Sequence, residues 1–204
     1  MAFDCDDALI TLLEAPAPED KPVVRIGKAT IEGKDVAGAR VVLRSRYPVA
    51  AWAEVLRHPE RSDEWLPEEV GTRQVERLDA THIYQRSDIS LLFGAAHVRQ
   101  QAVIGLRLME DGPGGFRNCW YATDRTPYLP VIQGWDDGSD FLQLGHGAWE
   151  VRAGNDGGAV VSFQLWATAG LVPARVAAWV LSRGLPELVL DYEAHIGEVV
   201  AGPR

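Results

Sequence analysis

Few side chains in this sequence are of a type and spacing that could do chemistry. Arg99 sits between apolar neighbours in "HVRQQAVIGLRL", histidines stand alone at 97 and 146, and Glu150 follows Trp149 in "HGAWEV". An arginine facing an apolar interior is costly unless paired, so an inward Arg99 requires Asp88, Glu150 or the carboxylate of a ligand. A solvated arginine near a strand end is the alternative. His97 and His146 lie in strand-like stretches with no metal-like partner nearby, where lone histidines more often serve as hydrogen-bonded structural residues. No metal set is expected. The sequence contains no GxSxG, HExxH or GxxxxGK[ST], and no GxGxxG between a strand and a helix. "GHGAW" and "DGPGGF" are glycine-bearing turns or bulges without a helix start behind them, so they cradle no phosphate. These residues assign no catalytic group and no cofactor. An enzyme reading would rest on Arg99, His97, His146 or Glu150 as proton-transfer groups, provided two of them converge within hydrogen-bond reach.

Charge narrows the partners. With 20 Lys+Arg against 29 Asp+Glu the formal net charge is −9 over 204 residues, the opposite of what a phosphate backbone attracts. Nucleic acid is therefore not expected, and membrane contact is at most transient and local. Cys5 and Cys119 offer neither CxxC spacing nor a dense disulfide framework, which fits a reducing cytoplasm. Asp4, Asp6 and Asp7 occupy the place where a signal peptide needs positive charge, and no apolar run reaches the roughly 18 residues of a membrane span. A soluble cytoplasmic protein is the expectation.

The elements that must position these groups follow from periodicity. Asp4 or Asp6 can cap a short helix carrying Leu9, Leu12 and Leu13, which "EAPAPEDKP" ends, so residues 1–20 read as a helix and linker. Period-two alternation predicts a hairpin over "VVRIGKATIEG" and "KDVAGARVVLRSRY", joined at Gly33–Lys34. The period then changes: Pro48 suits a first helical turn, and Val49, Trp52, Ala53 and Leu56 recur at three and four before His58–Pro59. Strands are predicted at 70–78, 82–90, 97–109, 115–125, 141–152 and 158–168, with links short enough for antiparallel pairing. With no repeat or composition break, one domain spans 1–204. "RTPYLPVIQGWDDGSD" at 125–140 is too long for a hairpin and unusually apolar, which suits a lid; a loop anchored on the core by Tyr128, Leu129, Val131 and Ile132 is the alternative.

Residues 170–200 close the chain with a long helix. Ala177, Leu181, Leu185, Leu188, Tyr192, Ile196 and Val199 form one stripe, and a second ridge begins at Val176, Trp179 and Val180, so the helix must lie in a groove. Gly184 and Pro186 predict a kink near 183–186, or a restart with Pro186 in the first turn.

In this order, "RSDEWLPE", "IYQRSD", "HGAWEV", "GGAVVSFQLWATAG" and "GLVPARVAAWVLSRGLPELV" resemble the START-like lipid-transfer domains of the Bet v 1-like, helix-grip (SRPBCC) superfamily. The resemblance runs from about residue 22 to the last helix. It implies an α+β fold: a curved antiparallel β-sheet wrapped around the long C-terminal α-helix, with an internal hydrophobic cavity between them. The chain departs from the family where a proline-rich loop ending in Arg-Asp is frequent, since "ISLLFGAAHVRQ" stands there, and before the helix, where "TAGLVP" replaces Asp-Pro-Gly-Gly. Sterol specificity is accordingly not carried over.

For function, the resemblance implies binding, and transfer or sensing, of a lipid, fatty acid or isoprenoid-like molecule; the superfamily's cyclases and aromatases supply the enzymatic alternative. Phe163 and Leu165 on the apolar side of the last strand, Val176 and Val180 on the helix, and Trp120 and Trp149 are the wall candidates, with Arg99 as the polar one. Ordinary core packing is the alternative for the six apolar residues. Leu92, Phe93, Tyr128, Leu129, Ile132 and the front of the helix would form the gate. A packed module without ligand, presenting Trp135 to a protein partner, is the third reading.

Overall fold

Alternating β-branched and apolar residues pair here into a single sheet. The computed structural model describes residues 16–31, 34–66, 72–91, 96–110, 114–136, 138, 140–141, 145–168 and 174–201. Strands β1 (Val23–Ile31) and β2 (Lys34–Ser45) form the expected hairpin, with Ile31 opposite Lys34. They are followed by β3 (Thr72–Arg77), β4 (His82–Leu91), β5 (Ala96–Glu110), β6 (Gly115–Ala122), β7 (Asp140–Phe141), β8 (Gly145–Ala153) and β9 (Ala159–Thr168). The spatial order is β1-β2-β9-β8-β6-β5-β4-β3, antiparallel throughout, and the short β7 adds in parallel to β5 beside Gln100 and Gln101. The first hairpin thus lies next to the last strand.

Register assigns the faces, because successive side chains in a strand point to opposite sides. Phe163 stands opposite Val41 and Trp149, and Leu165 opposite Ala39 and Gly147. Trp120 stands opposite Gly147 and Leu106, so all of these share one face, the inner one, against which the helices pack. Ser162, Gln164, Glu150, Ala148, Arg117 and Cys119 share the outer face.

Helix α1 (Val49–Leu56) buries Val49, Trp52, Ala53 and Leu56, the four residues its spacing singles out, and Pro48 is its N-cap. A 3-10 turn over Pro59–Glu64 comes after it. Trp52 Nε1 donates to Ser45 Oγ at 3.0 Å, and Asn118 Nδ2 donates to the Leu56 carbonyl at 2.8 Å, which satisfies one of the orphan acceptors at the end of α1.

A single-turn helix, α2 (Leu129–Ile132), lies in the link between β6 and β7. The closing helix α3 (Ala174–Ala201) is one helix with Pro186 inside it, so the restart is not what the chain does. Proline removes one helical hydrogen bond, but Leu185 on one side of it and Val189, Tyr192 and Ile196 on the other are buried against the sheet, and that packing holds both halves in one helix. The buried stripe also differs from the expected one. Ala178 and Val189 are within it, and Val199 is 48% exposed.

Cys119 is buried and disulfide-bonded, so cysteine usage no longer points to a reducing compartment. Among the described residues no helix is long and apolar enough to cross a membrane.

Candidate functional site: the inner face of the sheet beneath the terminal helix

Among the described residues, the apolar side chains of the inner face fall into two clusters. The larger lies under α1 and the C-terminal part of α3, where Ala39, Val41, Leu43, Val151, Val161 and Phe163 meet Leu185, Val189, Tyr192 and Ile196. Its centre is aromatic. Trp149 stacks on Phe163 at 4.3 Å between ring centroids and lies 4.7 Å from Tyr192 and 6.0 Å from Trp52. Trp65, just after the 3-10 turn, packs edge-on against Tyr192 and stacks on His195 at 4.2 Å. Offset and edge-to-face pairs of this kind add to area burial and fix ring positions. Burial pushes the Tyr192 phenol far above its ordinary pKa, so it stays neutral. This end of the inner face is a plug.

The second cluster is farther across the same face, on β3 to β6: Val75, Ile83, Ala102 and Ile104, with Leu106 and Trp120 partly buried against them. Trp120 lies over Gly147, where any Cβ would collide with its ring; only glycine lets the indole lie down on the sheet. Leu165, half-buried opposite Gly147, stands between this cluster and the plug, and Leu181 of α3 packs from the helix side.

The expected wall residues thus separate. Trp149 and Phe163 belong to the plug and Leu165 packs against it, whereas Trp120 packs against the second cluster. Val176 and Val180 are in the first turns of α3, and their side chains lie outside the described residues, as does that of Arg99. Residue 99 is opposite Asp88, one of the partners its charge requires, and alternates in phase with Gln101 and Val103. Leu92 and Phe93 lie outside the described residues. Trp65 and Tyr192 complete the plug, and only Tyr192 was marked by spacing; nothing local to "DEWL" says what Trp65 touches.

Residues 126–136 are anchored on the outer side of β4 and β5. Ile132 is buried with Tyr84 and Val103, which alternate out of phase with the inner Ile83 and Ile104. The Tyr84 hydroxyl sits between the Gln101 side-chain oxygen (2.8 Å) and the Trp135 carbonyl (3.2 Å), and Gln101 Nε2 donates to Asp136 at 2.8 Å. Trp135, the residue of the expected protein-binding patch, packs on Tyr84 at 5.4 Å. Tyr128 donates to Asp79 in the β3–β4 turn at 2.6 Å, while Leu129 and Val131 remain exposed. Although partial burial opposes it, hydrogen bonds from Tyr128, the Thr81 amide and His82 hold the Asp79 carboxyl well below the usual range. The same bond, with burial second, pushes Tyr128 up to about 12.

Polar groups of the enzyme reading do not meet on the inner face. Glu150 is on the outer face, where Oε2 accepts from Arg40 at 2.8 Å and Oε1 lies 3.2 Å from Arg117; Arg40 also donates to Ser162 Oγ at 2.9 Å. Burial holds the Arg40 guanidinium below its ordinary pKa, with Arg152 and Arg117 adding to this and Glu150 opposing it. His146 shares the outer face with Glu150. Among the described residues no group of three or more His, Cys, Asp or Glu is arranged to hold a metal ion.

One curved antiparallel sheet with a long C-terminal helix across its inner face is the START-like helix-grip fold. In particular, the chain is similar to the STAR-related lipid transfer protein from Xanthomonas axonopodis, with a TM-score of 0.64 and 19% identity over 90% of this chain and 97% of that one. Human STARD10 is similar at a TM-score of 0.59 and 11% identity, over 85% of this chain and 69% of that one. Human StAR-related lipid transfer protein 5 matches at 0.58 and 9% identity, over 85% and 82%. No protein-family model and no curated protein matches the sequence.

Proposed function

We propose that this protein binds a hydrophobic small molecule, a lipid, fatty acid or isoprenoid, between the inner face of the sheet and the N-terminal part of α3, and carries it between sites. The observation that carries this reading is the apolar surface that β3 to β6 present on the inner face, with Trp120 laid over Gly147. Here the aromatic plug fills one end, and the second cluster, with Trp120 laid over Gly147, offers a separate apolar surface on the same face. Such sites are chiefly apolar with few fixed polar groups, and the described inner face fits that chemistry. Two of the structural relatives are lipid transfer proteins by name, which agrees with it.

In this reading Trp120 and Leu165 border the ligand and Trp149 and Phe163 form its floor. The segment 126–132, held on the outer side through Tyr128 and Ile132, braces β4 and β5 from behind.

Native mass spectrometry of the purified protein, followed by solvent extraction, tests the reading. One acyl or isoprenoid molecule per chain is the expected result. Leu165→Trp should crowd the inner face next to Trp120 and abolish uptake of a fluorescent fatty acid while costing about 1–3 kcal/mol of stability, as overpacking does. A protein that is empty and ignores the fatty acid, or a variant that binds it as before, overturns the placement.

A further inference from the structure

One polar side chain stands at the border of the two inner clusters. Asn118 is two positions before Trp120 on β6 and so shares the inner face, opposite Leu108 of β5 and Trp149 of β8. It lies between the aromatic plug, to which Trp149 belongs, and Trp120 with Leu106 of the second cluster. Asn118 is only 3% exposed. Its amide has a fixed orientation, because Nδ2 donates to the Leu56 carbonyl at 2.8 Å. Oδ1, the other end of the amide, is buried and accepts no hydrogen bond among the described residues. A buried acceptor that has lost its hydration without gaining a donor is costly, and native structures leave few of them.

The neighbours of Asn118 say where a donor comes from and what it carries. Trp149, itself buried, and the end of α1 close two of its sides, whereas Leu108, also on the inner face, is 45% exposed. A ligand lying on the second cluster therefore reaches Asn118 from the β5 side. An amide oxygen only accepts, and a carboxylate has no proton to give it. Among the described residues, the inner positions of β4, β5, β6, β8 and β9 hold no lysine or arginine to neutralise a carboxylate. Arg57, just after α1, lies over the ring of Phe116 and pairs with Glu54 at 3.8 Å. An ammonium group would give up its hydration against rings and alkyl side chains. A hydroxyl supplies the proton without a charge.

We propose that Asn118 is the polar anchor of the inner-face site, its Oδ1 accepting from a ligand hydroxyl, and that the ligand class is an uncharged lipid alcohol, fatty or isoprenoid, with its chain along Trp120 and Leu106. This rests on the reading of the inner face as a ligand site and narrows the classes of ligand named there.

The test is displacement of a fluorescent fatty acid from the purified protein by hexadecanol, its methyl ether and hexadecanoate. The ether keeps the chain and the oxygen but lacks the proton. Hexadecanol should bind about tenfold more tightly than either, the worth of one hydrogen bond to a buried acceptor. In Asn118→Leu, with urea unfolding to show that the variant is folded, the alcohol and the ether should bind alike. The sequence has two asparagines, Asn118 and Asn155, so selective asparagine labelling reads the site in the unaltered protein as well. There the side-chain carbonyl resonance of Asn118 should move farther with the alcohol than with the ether. Equal binding of alcohol and ether, an unchanged preference in the folded variant, or a resonance that the bound alcohol does not move would overturn the role of Asn118 and leave the inner-face site standing. Tighter binding of hexadecanoate also overturns it and points to Arg57 instead. If none of the three displaces a bound probe the proposal falls too; if the probe itself does not bind, the ligand reading falls with it.

Discussion

Across β6, β8 and β9 the sheet shows Trp120, Trp149 and Phe163 on its inner face and Arg117, Glu150, Ser162 and Gln164 on its outer face, and much of both faces is buried. Burial inside is achieved with rings, whose attraction is proportional to area and only weakly directional. Outside it is achieved with charge-assisted hydrogen bonds, in which Arg40 and Arg117 share the carboxylate of Glu150. The two faces therefore fail differently. Loss of an inner ring leaves a cavity; loss of the outer carboxylate leaves two desolvated cations.

The comparison is sharpest at its largest effect. Trp149→Ala removes the ring that touches Trp52, Phe163 and Tyr192, and should cost about 3–5 kcal/mol in urea unfolding. Glu150→Gln should cost about 2 kcal/mol, less than a fully buried pair because its side chain is 13% exposed. If the outer face works as a pair, Arg40→Met/Glu150→Met will cost less than the two single changes summed, and strict additivity would break the comparison.

Tyr128→Phe comes next, at about 1 kcal/mol or less for one net hydrogen bond. Its signature is in pH. The carboxyl of Asp79 titrates lower in the folded protein than in the unfolded chain, so its contribution is present above about pH 4 and is lost as pH falls through the folded value. Removing the Tyr128 hydroxyl should raise that value, as read by carboxyl NMR titration, and narrow the acid window of instability. Smallest is Val199→Ala: exposed at the end of α3, it should change stability by no more than about 0.5 kcal/mol, whereas Val189→Ala, fully buried, should cost clearly more.

Much of the architecture is legible locally. The strands lie close to where period-two alternation puts them, and α1 buries the four residues its period selects, because both depend on neighbours within a few positions. A helix across 186 is visible too. Its continuity through Pro186 is not, since the lost hydrogen bond is offset by contacts with strands more than a hundred residues away. "DEWL" carries no sign that Trp65 would reach Tyr192 and His195.

Within the candidate site the division is stricter. Composition and pattern by themselves determined that Trp120, Trp149, Phe163 and Leu165 belong on strands and that the terminal helix needs a groove. Tertiary structure alone decided that Trp149 and Phe163 join the plug while Trp120 lies over Gly147, that Glu150 faces Arg40 and Arg117 on the outer side, and that Ile132 packs behind Tyr84. The physical reason is parity: within a strand alternation says which residues share a face, but which face is inner depends on registers accumulated across the whole sheet.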